Sequence, residues 1–215
     1  MHTLRAAGRD GVLMKKISII GAGTMGADIA QVFALKGYDV VVRDITDEII
    51  ARSSAKLEKA TLRLVEKGKI SAEEQQSMMA RISFTTDLNM SADSDLVIEA
   101  IIERADAKRE LYAALEPRLG PDALLTTNTS SIPLEELRGQ IARPAQFAGL
   151  HYFNPVAQMP LVEIIHHDAM APETGQRLAA FCKAIGKLPV PVAGTPGFLV
   201  NRLLFPYMLE AATAY

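Results

Sequence analysis

The sequence predicts an α/β fold: a doubly wound, mostly parallel sheet with helices on both faces, followed by the start of an all-α segment. Three observations predict it. Short apolar runs alternate with amphipathic stretches of helical length, as strand–helix–strand units require. The first run, Lys16–Ile20, feeds into a glycine-rich turn and then a helical stretch. The second, Asp39–Arg43, ends at an acid, Asp44.

The turn comprises Gly21, Ala22, Gly23, Thr24, Met25 and Gly26, and opens the helix Thr24–Lys36. Gly21 allows a sharp exit from the strand, Gly23 lets the backbone approach a pyrophosphate, and Gly26 lets the helix pack closely on the sheet. The first amides of such a helix face a phosphate with a partial positive charge. Asp44 is placed to accept hydrogen bonds from ribose hydroxyls and to repel a 2′-phosphate, which favours NAD over NADP; Arg43 beside it pulls mildly the other way. Glycine turns also serve ordinary packing. The combination of strand, turn, helix and distal acid makes this a Rossmann-type, NAD-binding domain.

The helix Asp47–Lys67 puts Leu57, Thr61, Leu64 and Val65 on one face and Lys56, Lys59, Arg63 and Lys67 on another. Such a stripe can hold a polyphosphate, but charge alone favours an ordinary solvated face. Helix Ala72–Arg81 leads to strand Ile82–Thr85. Strand Asp95–Glu99, helix Arg104–Leu119, strand Ala123–Thr127, helix Leu134–Gln140 and strand Phe147–Leu150 follow. Leu161–Ile165 and Leu188–Val192, either side of helix Pro172–Ile185, extend the sheet. Pro196–Pro206 then runs into an apolar helical stretch, Tyr207–Tyr215, without a C-terminal glycine or basic last turn. The expected division is a leader or linker over 1–14, the NAD-binding domain over 15–194, and over 195–215 the first helix of a truncated helical domain.

The 215 residues are 49% hydrophobic and 22% charged, enough for a proper core. A net charge of −2 gives no global attraction to nucleic acid or anionic membrane. Apolar runs fall short of a membrane span, and residues 1–14 lack a signal-peptide core. The single Cys182 excludes an internal disulfide framework and fits a reducing compartment; it reads as a small buried side chain on a helix. No metal-ligand cluster is expected.

Four further segments are polar where a plain core would not be. Glu99 to Glu103, with Lys108 beyond, leaves the fourth strand, and ligands in such sheets lie at the carboxyl ends of strands. Helix-start acids favoured by the dipole would explain one of these carboxylates. Thr126 to Ser131 leaves the fifth strand, where Ser130 or Ser131 could instead cap the helix after Pro133. His151 to Pro155 follows the sixth strand; Glu163 and Asn201 come later. Dehydrogenation of a secondary alcohol needs a base for the hydroxyl proton, which histidine suits. A carboxylate on the far ring nitrogen fixes the tautomer, and an amide donor stabilises the developing oxygen charge. His151, Glu163 and Asn201 can fill these roles, although a strand-end histidine is equally often a satisfied structural residue.

Taken with the glycine turn, the segments Val97–Glu103, Asn128–Ser131, Gly149–Pro155, Leu161–Ile164 and Pro196–Arg202 resemble the L-3-hydroxyacyl-CoA dehydrogenases of fatty-acid β-oxidation, and the dehydrogenase portion of the multifunctional β-oxidation enzymes. The resemblance runs from about Lys16 to the end. It implies His151 as general base, oriented by Glu163, with Ser130 and Asn201 holding the substrate C3 oxygen. It implies that Ile101, Ile102, Glu103, Lys108, Ser130 and Asn154 meet NAD near its nicotinamide half, and that Lys67 meets CoA phosphate. Tyr152 stands where the family more usually has Phe. The implied reaction oxidises (3S)-3-hydroxyacyl-CoA with NAD, in the cytoplasm or, in a eukaryote, the mitochondrial matrix. The family's helical domain, which dimerises and covers the acyl-CoA, is longer than the residues after 195. The chain is therefore expected to bind NAD but to turn over little alone, and a homodimer is implied for a full-length parent. Rival readings are a 3-hydroxybutyryl-CoA dehydrogenase working reductively, a β-hydroxyacid dehydrogenase with a lysine base, which His151 and Glu163 argue against, and a non-catalytic NAD-binding relative.

Overall fold

A computed structural model describes residues 14–214. The leader expected over 1–14 lies almost wholly outside the described residues. Eight strands form one sheet: β1 (Lys16–Ile20), β2 (Asp39–Arg43), β3 (Ile82–Thr85), β4 (Leu96–Glu99), β5 (Leu124–Thr127), β6 (Phe147–Tyr152), β7 (Leu161–His166) and β8 (Leu188–Ala193). Their order is β3-β2-β1-β4-β5-β6-β7-β8. Pairing is parallel from β3 to β6, antiparallel between β6 and β7, and parallel again between β7 and β8. The chain reverses its direction of travel across the sheet between β1 and β4, the switch point that opens a ligand crevice at the strand ends.

Helices cover both faces, which is why the inner strands are apolar almost throughout. On one face α1 (Thr24–Leu35) lays Ile29, Ala30 and Phe33 against Ile17, Ile19, Val40 and Val42. Phe33 is fully buried and meets Phe181, Tyr152 and Tyr38 edge-on, so Phe33→Ala would cost about 3–5 kcal/mol. On the other face Tyr112, Leu115 and Leu137 pack on Ile20, Val97, Leu125 and Phe147. They come from α4 (Ala105–Leu115) and α5 (Leu134–Arg138).

The remaining helices follow their local signals. Thr46 caps α2 (Asp47–Glu66), with Asp47 and Glu48 in its first turn. Ser71 and Glu74 form a reciprocal capping box at α3 (Ala72–Ala80). Pro172 opens α6 (Pro172–Ala184), which buries Cys182 completely; burial pushes that thiol up to about 12 and leaves it inert. The expected helix Arg104–Leu119 is shorter than predicted. Its α-helical part stops at Leu115, and a 3₁₀ turn over Glu116–Arg118 holds Pro117, which has no N–H to continue the ladder. Pro189 and Pro191 sit on the edge strand β8, where a missing N–H donor is tolerated. The last helix, α7 (Val200–Thr213), starts earlier than predicted and buries none of its side chains.

Candidate active site

The switch point carries the glycine turn. Gly21 has φ +111°, and its N–H donates to the Arg43 carbonyl at 2.8 Å. A Cβ on Gly21 would lie 2.4 Å from the Ala100 carbonyl oxygen, so neither its conformation nor its surroundings accept a side chain. At Gly26 a Cβ would stand 1.8 Å from the Gly21 oxygen, which binds helix to turn. Gly23, at the N-cap of α1, has nothing within 4 Å of the equivalent position. The cradle is open only where a phosphate would come. Neither a side-chain cap nor a first-turn acid competes for the first amides of α1. Asp44 takes the Ala22 N–H at 2.6 Å and the Ile45 N–H at 2.7 Å, tying the end of β2 to the turn. The cavity above them, about 780 Å³, is lined by Gly21, Gly23, Asp44, Ile45, Ile101 and Ile102 among others.

That cavity also admits Arg43, Arg52 and Lys56. Lys56 reaches Thr24 Oγ1 at 3.3 Å. It is thus Lys56 of the basic stripe that meets the turn. Lys67 caps the far end of α2 and lines neither of the two cavities described here.

A second cavity of about 350 Å³ adjoins the first at Ala100 and Ile101. It gathers Met25, Glu103, Ser130, His151, Asn154 and Asn201, residues from five separate stretches of chain. His151 lies within β6, one residue before its end, directly opposite Glu163 on antiparallel β7. His151 Nδ1 is 2.7 Å from Glu163 Oε2. His151 is 6% exposed and Glu163 fully buried. A buried carboxylate facing Nδ1 puts the ring proton there and leaves Nε2 as the acceptor. Phe153 and Phe198 flank the ring, with centroids at 4.5 and 5.7 Å.

The other oxygen of Glu163 accepts the N–H groups of Leu199 and Val200 at 3.0 and 2.9 Å. One carboxylate therefore orients the histidine and caps α7. Asn201, on the first turn of that helix, extends its Nδ2 toward the Ser130 carbonyl at 3.4 Å. Phe198 holds φ +50°, a strained value for a bulky residue, in the turn that delivers Asn201.

Ser130 and Ser131 do not cap α5, whose N-cap Pro133 has no side-chain bond. They turn instead to Glu103 Oε1, which accepts Ser130 N–H at 2.8 Å, Ser131 N–H at 3.1 Å and Thr129 Oγ at 2.5 Å. A carboxylate accepts these N–H and O–H donors in charge-assisted bonds, whereas a helix N-terminus presents only further donors. Burial would raise the Glu103 carboxyl, but the Thr129 hydroxyl, the Lys108 charge and the Ser130 amide outweigh it and hold it at about 2. Glu99 is not a helix-start acid either. It is fully buried at the end of β4 and bonded to Lys108, Ile101, Tyr112 and Thr127. Sequence reasoning missed Phe153, Phe198 and Asn128, whose Oδ1 accepts the Tyr152 N–H at 2.8 Å and so joins β5 to β6.

A glycine turn that opens onto a helix N-terminus, an acid at the end of the next strand and an adjoining histidine–carboxylate couple form the site of a nicotinamide-nucleotide-dependent oxidoreductase. The chain belongs to the 3-hydroxyacyl-CoA dehydrogenase, NAD binding domain family, which matches residues 16–195. Its cofactor is NAD. It is 43% identical to a probable 3-hydroxybutyryl-CoA dehydrogenase of Deinococcus radiodurans, covering 91% of this chain and 70% of the relative. It is 39% identical to the mitochondrial hydroxyacyl-coenzyme A dehydrogenase of Rattus norvegicus, covering 93% of this chain and 66% of that one. The crystal structure of 3-hydroxybutyryl-CoA dehydrogenase from Escherichia coli K12 superposes with a TM-score of 0.91 at 40% identity, covering 94% of this chain and 43% of the other. The chain thus spans about two thirds of the curated relatives it matches. Among the described residues no helix is long and apolar enough to cross a membrane, and no cluster of metal-ligating side chains occurs.

Proposed function

We propose that this chain supplies the NAD site and the acid–base centre for oxidising (3S)-3-hydroxyacyl-CoA to 3-oxoacyl-CoA. The observation that carries the reading is the buried His151–Glu163 couple opening onto the same small cavity as Ser130 and Asn201, next to the glycine turn. Gly21 to Gly26 and Asp44 hold the dinucleotide, with Ile101, Ile102, Glu103 and Asn154 toward its nicotinamide half. NAD held there would supply the acceptor for the hydride from C3 of the substrate. His151 Nε2 removes the hydroxyl proton, Glu163 stabilises the imidazolium that forms, and the Ser130 hydroxyl and Asn201 amide hold the oxygen as it becomes a carbonyl.

The four-carbon reading has specific support, since the Deinococcus and Escherichia relatives are named for 3-hydroxybutyryl-CoA. Working reductively, such an enzyme would be distinguished by its relative use of NADH and NADPH. The division into a unit of 15–194 and a helix from 195 onward is part of the same proposal. It is supported by the end of the family match at residue 195 and by the solvent-facing α7. A helical substrate-covering partner domain, a homodimer for a full-length parent, CoA phosphate at Lys67, and a cytoplasmic or matrix location complete the reading.

The test is NADH formation from (3S)-3-hydroxybutyryl-CoA, measured for the chain as it stands and for a chimera carrying the C-terminal part of the Deinococcus relative. The chimera is expected to be far the faster. His151→Gln should lower its turnover by about a hundredfold or more, with NAD binding intact. Unchanged turnover in His151→Gln would sink the assignment.

A further inference from the structure

The connection from β6 to β7, residues 153–160, brings Phe153 and Asn154 to the smaller cavity. Its own chain anchors it lightly. The Gln158 and Met159 N–H groups both donate to the Pro155 carbonyl at 3.0 Å, closing a short turn. From Asn154 to Pro160 only Val156 is buried, at 1% exposure. Two carbonyls of the turn are taken from the start of β8 instead. Lys187 Nζ donates to the Val156 oxygen and, at 2.8 Å, to the Met159 oxygen. The lysine backbone is itself fixed, since its N–H donates to the Cys182 carbonyl at 2.8 Å and the Leu188 N–H to the Pro160 carbonyl at 2.8 Å. Lys187 is 9% exposed and lines neither cavity. The titratable groups beside it are Lys36 and the Cys182 thiol, neither of them a carboxylate. An ammonium buried without a counter-charge is costly unless its N–H groups are bonded, and here the carbonyls of a single loop bond them.

We propose that Lys187 is a positioning residue for the cofactor: by clamping the Val156 and Met159 carbonyls it fixes the loop between β6 and β7 and thereby presents Asn154 to the nicotinamide half of NAD. The consequence for NAD binding rests on the role proposed above for Asn154; the consequence for the loop does not. Three rotatable N–H donors on a flexible stem suit a lysine to two carbonyls three residues apart. With the clamp in place Asn154 is set before the dinucleotide arrives, so little ordering remains to be done on binding. Without it the loop keeps the Val156 contact and one short turn, and Asn154 is free to wander. The proposed base is insulated from this effect. His151 and Tyr152 are paired with Glu163 and Val162 in the sheet, before the loop begins. Lys187 therefore acts on one end of the dinucleotide, leaving the glycine turn and the histidine–carboxylate couple as they are.

The experiment measures amide hydrogen exchange and calorimetric titration with NAD and with ADP-ribose, which lacks the nicotinamide. It compares the wild-type chain with Lys187→Met, Asn154→Ala, the double variant, and Leu137→Ala, a fully buried residue on α5 that lines neither cavity and serves as a destabilised control. In Lys187→Met the Gln158 and Met159 amides should exchange about tenfold faster or more, with the amides of β6 and β7 unaltered. NAD affinity should fall by about tenfold while ADP-ribose affinity stays within about twofold of wild type. Asn154→Ala should show the same split between the two ligands without loosening the amides, and the double variant should bind NAD no worse than Asn154→Ala alone. Leu137→Ala should lose stability and show no split. If Lys187→Met does not fold, Lys187→Gln, which keeps a neutral donor on a shorter stem, is read in the same way. Unaltered Gln158 and Met159 amides would overturn the proposal. So would equal weakening of NAD and ADP-ribose, or the same split in Leu137→Ala. Loosened amides with NAD affinity unaltered would also overturn it; Asn154→Ala then locates the fault, in the role given to Asn154 if that variant too binds NAD normally, and in the role given to Lys187 if it does not.

Discussion

His151 and Glu163 face each other across the antiparallel pair β6–β7, and the same carboxylate that meets the histidine at 2.7 Å also caps the first turn of α7. Orientation of the proposed base and placement of Asn201 therefore depend on one side chain. Glu163→Gln keeps an oxygen for the Leu199 and Val200 amides but turns an NH₂ group toward the imidazole. It should lower turnover by about a hundredfold or more while α7 stays docked. Glu163→Ala should lose both functions, which faster amide exchange at Leu199 and Val200 would report. Equal exchange in the two variants would separate the capping from the carboxylate.

The glycine turn divides into a folding part and a binding part. Gly26→Ala drives a methyl to within 1.8 Å of the Gly21 oxygen and should destabilise the chain by about 3 kcal/mol, since backbone must move. Gly23→Ala meets nothing within 4 Å and has φ −67°, which any residue adopts. Its melting should change by less than about 1 kcal/mol, since only an N-cap glycine is lost. NAD affinity should nevertheless fall by about tenfold or more, because the added methyl occupies the approach of the pyrophosphate. Calorimetric melting and NAD titration of both variants read the two effects separately.

The sheet was legible because its signals are local. Apolar runs, glycines and prolines placed all eight strands, most to within a residue, and Pro117 explains where α4 stopped short. His151, Glu163, Ser130 and Asn201 were legible as types of residue, and the fold brought them together. What periodicity does not encode is which distant groups share a partner. Glu103 meets a turn more than twenty residues on, and Glu163 meets a helix start nearly forty residues on. Capping by Ser130 or Ser131 was the local alternative the sequence offered, and a carboxylate from another loop takes their donors instead. A sharper reading would have noticed Glu99: an acid ending a fully apolar strand is buried, and a buried acid needs donors.

Asp44 holds the turn through Ala22 and is proposed to exclude a 2′-phosphate, while Arg43 and Arg52 line the same cavity. Asp44→Ser should weaken NAD binding by about tenfold to a hundredfold, the worth of a charge-assisted hydrogen bond. NADP binding should strengthen, because the repelling carboxylate goes and two guanidiniums remain. Titration with both nucleotides checks this, and an unaltered NAD-to-NADP ratio would refute it.

Tyr152 occupies the core beside Phe33 with its hydroxyl fully buried and without a well-formed hydrogen bond; the Cys182 thiol, a weak partner, is the polar group next to it. Burial, with Cys182 adding to it, pushes the phenol well above its ordinary range. Removing an unpaired buried hydroxyl should help rather than harm. Tyr152→Phe is expected to raise stability by about 1 kcal/mol, or roughly 2–4 °C in Tm for a chain of this size. A lower Tm would show that the thiol contact is worth more than its geometry suggests.

Glu103 should make its part of the site acid-sensitive. Its carboxyl sits at about 2 in the folded chain against an ordinary value of 4.5, because the Thr129 hydroxyl, Lys108 and the Ser130 amide outweigh the effect of burial. A group whose folded value is depressed contributes stability that is present above the unfolded value and is lost as pH falls toward the folded one. Its contribution is therefore complete near neutrality and disappears between about pH 4.5 and pH 2. Glu103 is about a third exposed, so solvent screening limits its size. Urea melts of wild type and Glu103→Gln across that interval should converge as pH falls, with wild type the more stable at neutral pH. Parallel curves would mean that the turn is held by its backbone alone.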